Sequence, residues 1–235
     1  MEGKTAWMPL ESNPEVMTKF LRGLGVPNNW QLVDVLGLDP ELLQMVPRPV
    51  AAVLLLFPTS EEYKAHCLKQ EEELKSKGES VNQNVYFMKQ TISNACGSIA
   101  LIHAIANNLE RVQLESDKGL KKFIDATKNM SPESRAARLE KDEVMSSAHE
   151  EHAQEGQTSA PNPMQPVNLH FVTFVNVDNT LYELDGRKPF PIVHGPTSDD
   201  SLLEDASKVC KQFMERDPKE VNFSVVALTA TPGDH

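Results

Sequence analysis

A chain of 235 residues with 23 basic and 34 acidic side chains, net −11, lacks the basic face that phosphate neutralisation demands, which argues against a nucleic-acid binder. An acidic balance of this size serves solubility, or draws a partner with a basic surface. Cys67, Cys96 and Cys210 are odd in number, widely spaced and form no CxxC pair, which argues against both a disulfide framework and a structural zinc site.

The first residues contain no signal-peptide core. The longest apolar run, Val50 to Phe57, is far too short to cross a bilayer. The reading is a protein of the cytoplasm or nucleus with reduced thiols, not a membrane protein, with no metal site and no cofactor. Asn13-Pro14-Glu15 and Asp39-Pro40-Glu41 each set a capping side chain before a proline at the first helical position. The first of these helices carries Val16, Phe20 and Leu24 at helical spacing. Val50 to Phe57, stopped by Pro58, reads as a strand buried on both faces. Glu61 to Lys77 reads as a charged, mostly exposed helix ending at Gly78.

Residues 95 to 106 are apolar around nearly the whole helical circumference, which predicts a central buried helix with Ser93 or Asn94 as its cap. Two more helices are predicted from Asp117 to Met130 and from Ser131 to about Ser147. Ser146 to Val167 is rich in Gln, Ala, Pro, Ser and Glu and poor in aliphatic side chains, so it reads as a long loop. Leu169 to Val177 and Leu181 to Leu184 read as strands joined by an Asp178-Asn179 turn. A helix from Ser201 to Arg216 and a strand from Val221 to Ala230 complete the chain. The mixture favours one layered α/β or α+β domain over residues 1–235, with no repeat.

Cys96 falls in the first turn of the buried helix, where free amides and the macrodipole favour a thiolate. The competing reading is a small core hydrophobe. Cys67 and Cys210, inside amphipathic helices, take that second reading. A nucleophilic thiol needs a base and the base an orienting group. His66, His149, His152, His194 and His235 are assigned to exposed helices, loops or the terminus, and His103 to the core. His170 opens an apolar strand and needs a partner for its second nitrogen. With Asp178 and Asn179 as the two turn residues, Asp185 faces Val172 and stands diagonal to His170, roughly 7–8 Å away between backbones and within side-chain reach. A one-residue slip would separate them onto opposite faces. Gln90, on the approach to the helix, can offer an N–H to an oxyanion hole with the Cys96 amide. The chain order Gln90, Cys96, His170, Asp185 is that of papain-like thiol hydrolases.

The stretch Gln90-Thr-Ile-Ser-Asn-Ala-Cys96-Gly97 resembles the active-site signature of the ubiquitin carboxy-terminal hydrolases. Leu169-His170-Phe171 and Leu181-Tyr-Glu-Leu-Asp185-Gly-Arg-Lys-Pro-Phe190 resemble that family's histidine and aspartate boxes, and Trp7 to Pro14 its N-terminal segment. The resemblance covers essentially the whole chain and is nearest the short, single-domain type, among those the L-three isozyme. It implies a papain-like α/β domain: a central antiparallel sheet with helices on both sides, a knotted backbone, and an active-site crossover loop at about 148–167. It implies a monomer that hydrolyses small adducts or short peptides from the carboxyl end of ubiquitin through an acyl-enzyme thioester, with Nedd8 as a further candidate substrate. Pro9, Leu10, Glu11, Asp34, Glu155 and Phe223 match positions or segments that meet ubiquitin. The alternatives are a non-catalytic holder of ubiquitin and a papain-like acyltransferase.

Overall fold

The computed structural model describes residues 6–77, 82–155 and 167–231. Along the chain run α1 (Pro14–Gly23), β1 (Trp30–Asp34), α2 (Pro40–Leu43), β2 (Val50–Pro58), α3 (Glu61–Lys77), α4 (Cys96–Ala106), α5 (Gly119–Thr127), α6 (Pro132–Leu139), α7 (Glu143–Ala153), β3 (Leu169–Val177), β4 (Thr180–Leu184), β5 (Ile192–Pro196), α8 (Leu202–Arg216) and β6 (Ser224–Ala230). The strands form one sheet in the order β1-β6-β2-β3-β4-β5, antiparallel at each pairing.

The alternation of side chains along a strand divides the core into two layers. From β2, Ala52 and Leu54 join a cluster with α1 and α4 that contains Phe20, Leu101 and Ile105. Val53, Leu55 and Phe57 join a second cluster with α8 that contains Leu203, Cys210 and Phe213. A strand covered on both faces needs no polar alternation, which is why Val50 to Phe57 is continuously apolar. The helix α4 is buried from Gly97 to Ile105 and lies against β3, with the Thr173 hydroxyl donating to Ala100 O at 2.8 Å.

Several expected elements are as read. Asn13 accepts from Glu15 N–H at 3.0 Å, and Ser131 accepts from Ser134 N–H at 3.2 Å. Asp178 and Asn179 take φ of 52° and 58°, the left-handed pair that a tight hairpin of this hand requires, and Val177 pairs with Thr180. Asp39 makes no side-chain capping bond, and α2 runs for one turn only.

Other expectations are corrected. The helix predicted from Ser131 to Ser147 is two, because Asp142 accepts from Met145 N–H at 3.1 Å and starts α7 afresh. The helix α7 then continues to Ala153, so the first part of the predicted loop from Ser146 is helical; residues 156–166 lie outside those described, as does Gly78. The strands β1 and β5 were not predicted. Ser93 and Asn94 do not hold the cap position of α4: Ala95 does, with no side-chain acceptor.

Candidate active site

The approach to α4 is fixed before the helix begins. Asn94 adopts φ 63°, and its side-chain amide donates to Trp7 O at 3.1 Å, while Trp7 N–H donates to Ser93 O at 2.9 Å. The chain thereby enters α4 at Cys96, and the thiol stands at the positive end of the helix dipole. Leu10 closes over this start: a Cβ on Gly97 would stand 3.0 Å from Leu10 Cβ, a tight contact that glycine avoids. Upstream, Arg135 donates to Phe87 O at 2.7 Å and stacks over the Tyr86 ring, which fixes the segment that leads to Gln90.

The hairpin delivers the other two residues. The β3–β4 register runs to Thr173↔Leu184, so Asp185 follows on the face of Val172 and His170, as the turn predicted. His170 Nε2 and Asp185 Oδ1 are 2.6 Å apart, and both side chains are fully buried. Asp185 Oδ1 also accepts from Arg187 N–H at 2.8 Å, and Oδ2 accepts from the Tyr63 hydroxyl at 2.8 Å. His170 Nδ1 has no hydrogen-bond partner at ordinary distance among the described residues, and this nitrogen is left to the Cys96 thiol.

The electrostatics of the set follow from burial opposed by charge. Burial alone would raise the Cys96 pKa, but the hydrogen bond and charge of His170, with Arg187 beyond it, bring it below the ordinary thiol value. Burial would lower the His170 pKa; the charge and hydrogen bond of Asp185, with Cys96 adding to them, raise it to about 9. Asp185 is held well below the carboxylate range because the imidazolium charge and its hydrogen bonds outweigh desolvation. The three groups therefore favour a thiolate beside an imidazolium at neutral pH. The other two thiols go the other way: burial raises Cys67 and, much further, Cys210.

Gln90 is tied to the same hairpin. Its N–H donates to Gly186 O at 2.8 Å, and a Cβ on Gly186 would meet Gln90 Cβ at 3.0 Å. The Gln90 side chain donates one N–H to Ile92 O at 3.2 Å, and its buried Oε1 has no partner among the described residues.

Three histidines sit differently from expectation. His149 and His152 are buried, not exposed, because α7 packs against α1 and the N-terminal segment. His149 lies between Ser98 Oγ, 2.7 Å from Nδ1, and Met8 O, 2.6 Å from Nε2, with the Trp7 ring tilted against it at 4.4 Å. His194 belongs to β5, and its Nε2 meets Glu183 at 2.7 Å. His103 is a core residue as read, accepting from Met88 N–H at 3.1 Å. Tyr63 carried no sequence signal of a site role; 122 positions separate it from Asp185. Among the described residues no group of three or more His, Cys, Asp or Glu side chains could hold a metal ion, and no helix is long and apolar enough to cross a membrane.

The residues expected to meet ubiquitin are dispersed around this centre. Pro9 and Glu11 are half-buried and Leu10 is buried on α4. Asp34 is exposed at the end of β1, Glu155 is exposed and paired with Lys19 at 3.4 Å, and Phe223 is half-buried before β6.

Residues 7–215 match the family described as ubiquitin carboxyl-terminal hydrolase, family 1. The chain is 51% identical over 225 residues to a ubiquitin carboxyl-terminal hydrolase of Drosophila melanogaster, covering 95% of this chain and 97% of that protein. It is 52% identical over 220 residues to isozyme L1 of Homo sapiens, covering 94% and 96%. These relatives, and the structural match to UCH37, overturn the expected affiliation with the L-three isozyme. The catalytic domain of Trichinella spiralis UCH37, solved bound to ubiquitin vinyl methyl ester, superposes with a TM-score of 0.74 at 26% identity and 96% coverage of each chain. A match over residues 7–215, relatives more than half identical over nearly the whole chain and an antiparallel sheet between helical layers agree: this chain belongs to family 1 of the ubiquitin carboxyl-terminal hydrolases, cysteine-type hydrolases that act at the carboxyl end of ubiquitin.

Proposed function

We propose that Cys96 is the nucleophile, His170 its base and acid, Asp185 the residue that orients His170, and Gln90 an oxyanion donor. The observation that carries this reading is the buried 2.6 Å His170–Asp185 contact beside a thiol whose pKa His170 depresses. The Cys96 thiolate attacks the carbonyl carbon of ubiquitin's terminal glycine. The carbonyl π electrons move to oxygen, where the Cys96 N–H and the second Gln90 side-chain N–H receive the charge. On collapse, the bond to the leaving group breaks and the His170 imidazolium protonates it. The product is a thioester on Cys96. Neutral His170 then takes a proton from water as the water oxygen bonds to the thioester carbon. The C–S bond breaks, Cys96 leaves as the thiolate beside the restored imidazolium, and ubiquitin's carboxyl group loses its proton to solvent as the carboxylate.

Small adducts and short peptides are the proposed leaving groups, from ubiquitin and from Nedd8. A papain-like, knotted path as one domain, with a crossover loop near 148–167, is the proposed finer description; α7 occupies its start through Ala153. The proposed ubiquitin surface comprises Pro9, Leu10, Glu11, Asp34, Glu155 and Phe223. In its support, Glu11 Oε2 has no hydrogen-bond partner among the described residues, and Leu36, just after β1, and Val221, just before β6, are 73% and 81% exposed.

The test is hydrolysis of a carboxy-terminal ubiquitin ester, with ubiquitin vinyl methyl ester as trap. The parent protein should hydrolyse the ester and be trapped at Cys96. Cys96→Ala should bind ubiquitin without turnover. Labelling at Cys67 or Cys210, with Cys96→Ala still active, would overturn the assignment.

A further inference from the structure

Asp185 can orient His170 only if its own carboxylate is held. Its Oδ1 is shared by His170 Nε2 and the Arg187 N–H, so both of these donors act on one oxygen. The other oxygen, Oδ2, accepts from the Tyr63 hydroxyl at 2.8 Å. A partial rotation of the carboxylate about its last bond would carry Oδ1 away from His170 and break the contact. The two donors on Oδ1 restrain one side of the carboxylate, and the Tyr63 hydroxyl on Oδ2 restrains the other, so the torsion is held from both ends.

Tyr63 is itself fixed. Its backbone N–H is capped by Ser60 Oγ at 3.2 Å in the first turn of α3. Its ring packs edge-on against Phe57 at 4.7 Å and tilted against Phe213 at 6.0 Å, and Phe57 in turn stands edge-on to the His170 ring at 5.8 Å. Aromatic contacts of this kind restrict a ring to one orientation. The phenol stays protonated across the working range, because burial and then the charges of Asp185 and Glu183 raise its pKa far above the usual value. It is therefore a permanent donor. Tyr63 and Asp185 together line a cleft of about 400 Å³ with Cys67, Leu68, Phe190 and Ile192, in which neither Cys96 nor His170 takes part.

We infer that Tyr63 is a positioning residue for the reaction: its hydroxyl, donated to Asp185 Oδ2, locks the carboxylate rotamer that holds His170 against Cys96. This rests on the proposed role of Asp185. Outer-shell partners that orient a functional side chain typically cost 10–100-fold when removed, as known from metal-binding histidines.

The experiment uses the full chain and three forms of it. Tyr63→Phe removes only the hydroxyl and keeps the ring contacts. It should lower kcat on the ubiquitin ester by roughly tenfold with KM unchanged. In the same protein, the acid limb of Cys96 alkylation by iodoacetamide should move to higher pH, because a loosened Asp185 stabilises the imidazolium, and hence the thiolate, less well. Site-specific 3-fluorotyrosine at position 63 keeps the hydroxyl donor and should restore kcat to within about twofold of the parent, which separates the hydrogen bond from packing. A Tyr63→Phe enzyme with parental kcat and an unmoved acid limb would overturn the inference. Asp185→Asn runs in parallel: if it retains parental turnover, the role given to Asp185 fails and the inference about Tyr63 fails with it.

Discussion

Ser98 and His149 are joined by a 2.7 Å hydrogen bond across 51 positions, so the first turn of α4, which begins at Cys96, is tied to α7. The Met8 carbonyl on the opposite ring nitrogen can only accept, so His149 Nε2 carries the proton and Nδ1 accepts from the Ser98 hydroxyl. Burial holds the His149 pKa down at about 4, and His103 at about 4 likewise. Both folded values lie below the unfolded 6.5, so the stability they contribute is complete above pH 6.5 and is lost as pH falls toward 4. Urea unfolding at pH 7 and pH 5 should differ by on the order of 2 kcal/mol for each histidine. His149→Ala should cost about 2–3 kcal/mol at pH 7, from two bonds lost and two buried partners left unpaired, and should remove its share of the pH dependence. A pH-independent unfolding free energy in the parent would contradict this.

Activity should respond to pH through a different pair. His170 titrates at about 9 and Cys96 below its ordinary value, so turnover should hold across neutral pH and decline as the imidazolium loses its proton above about 9. Asp185→Asn removes the charge that raises His170. Its alkaline limb should move toward neutrality, its acid limb upward, and its maximal rate should fall. Rate measurements from pH 5 to pH 10 on parent and variant decide the matter. Superimposable profiles would exclude Asp185 as the source of the raised His170 pKa.

Gln90→Ala should reduce kcat by about 100–1,000-fold, the usual loss for one oxyanion donor, with a smaller effect on KM. The substitution should not unfold the protein, because the Gln90 backbone N–H keeps its bond to Gly186 O. Burst kinetics with a ubiquitin ester would place the loss in acylation. An unchanged kcat would remove Gln90 from the mechanism.

Asp34 is exposed at the edge strand β1, on a chain of net charge −11. Asp34→Lys should weaken ubiquitin binding and flatten its dependence on salt, since an attractive contact becomes repulsive. Titration calorimetry at low and moderate ionic strength checks both. Equal affinity at each salt concentration would mean that Asp34 serves solubility alone.

Local chemistry determined a large part of this protein. Paired turn residues of left-handed tendency, Asp178 and Asn179, fix a two-residue hairpin, and the hairpin fixes the register that sets Asp185 on the face of His170. An all-round apolar run after Cys96 predicts a buried helix, and Asn13 and Ser131 announce helix starts from three residues of context. Each of these depends on neighbours within a few positions, so the sequence suffices.

The tertiary structure decided the rest. The strands β1 and β5 hold five residues each and exist because β6 and β4 offer them an edge to pair with. His149 looked exposed on a polar helix until the N-terminal segment crossed over it, bringing Met8 O and Trp7 from more than a hundred positions away. The cap of α4 moved to Ala95 because Asn94 turns toward Trp7 instead. Tyr63, on an exposed helix with a weak apolar face, meets Asp185 only because β2 carries α3 past the end of the hairpin. Sequence encodes periodicity and turn chemistry within reach of a few residues; which distant side chain satisfies a buried carboxylate oxygen is settled only when the layers pack.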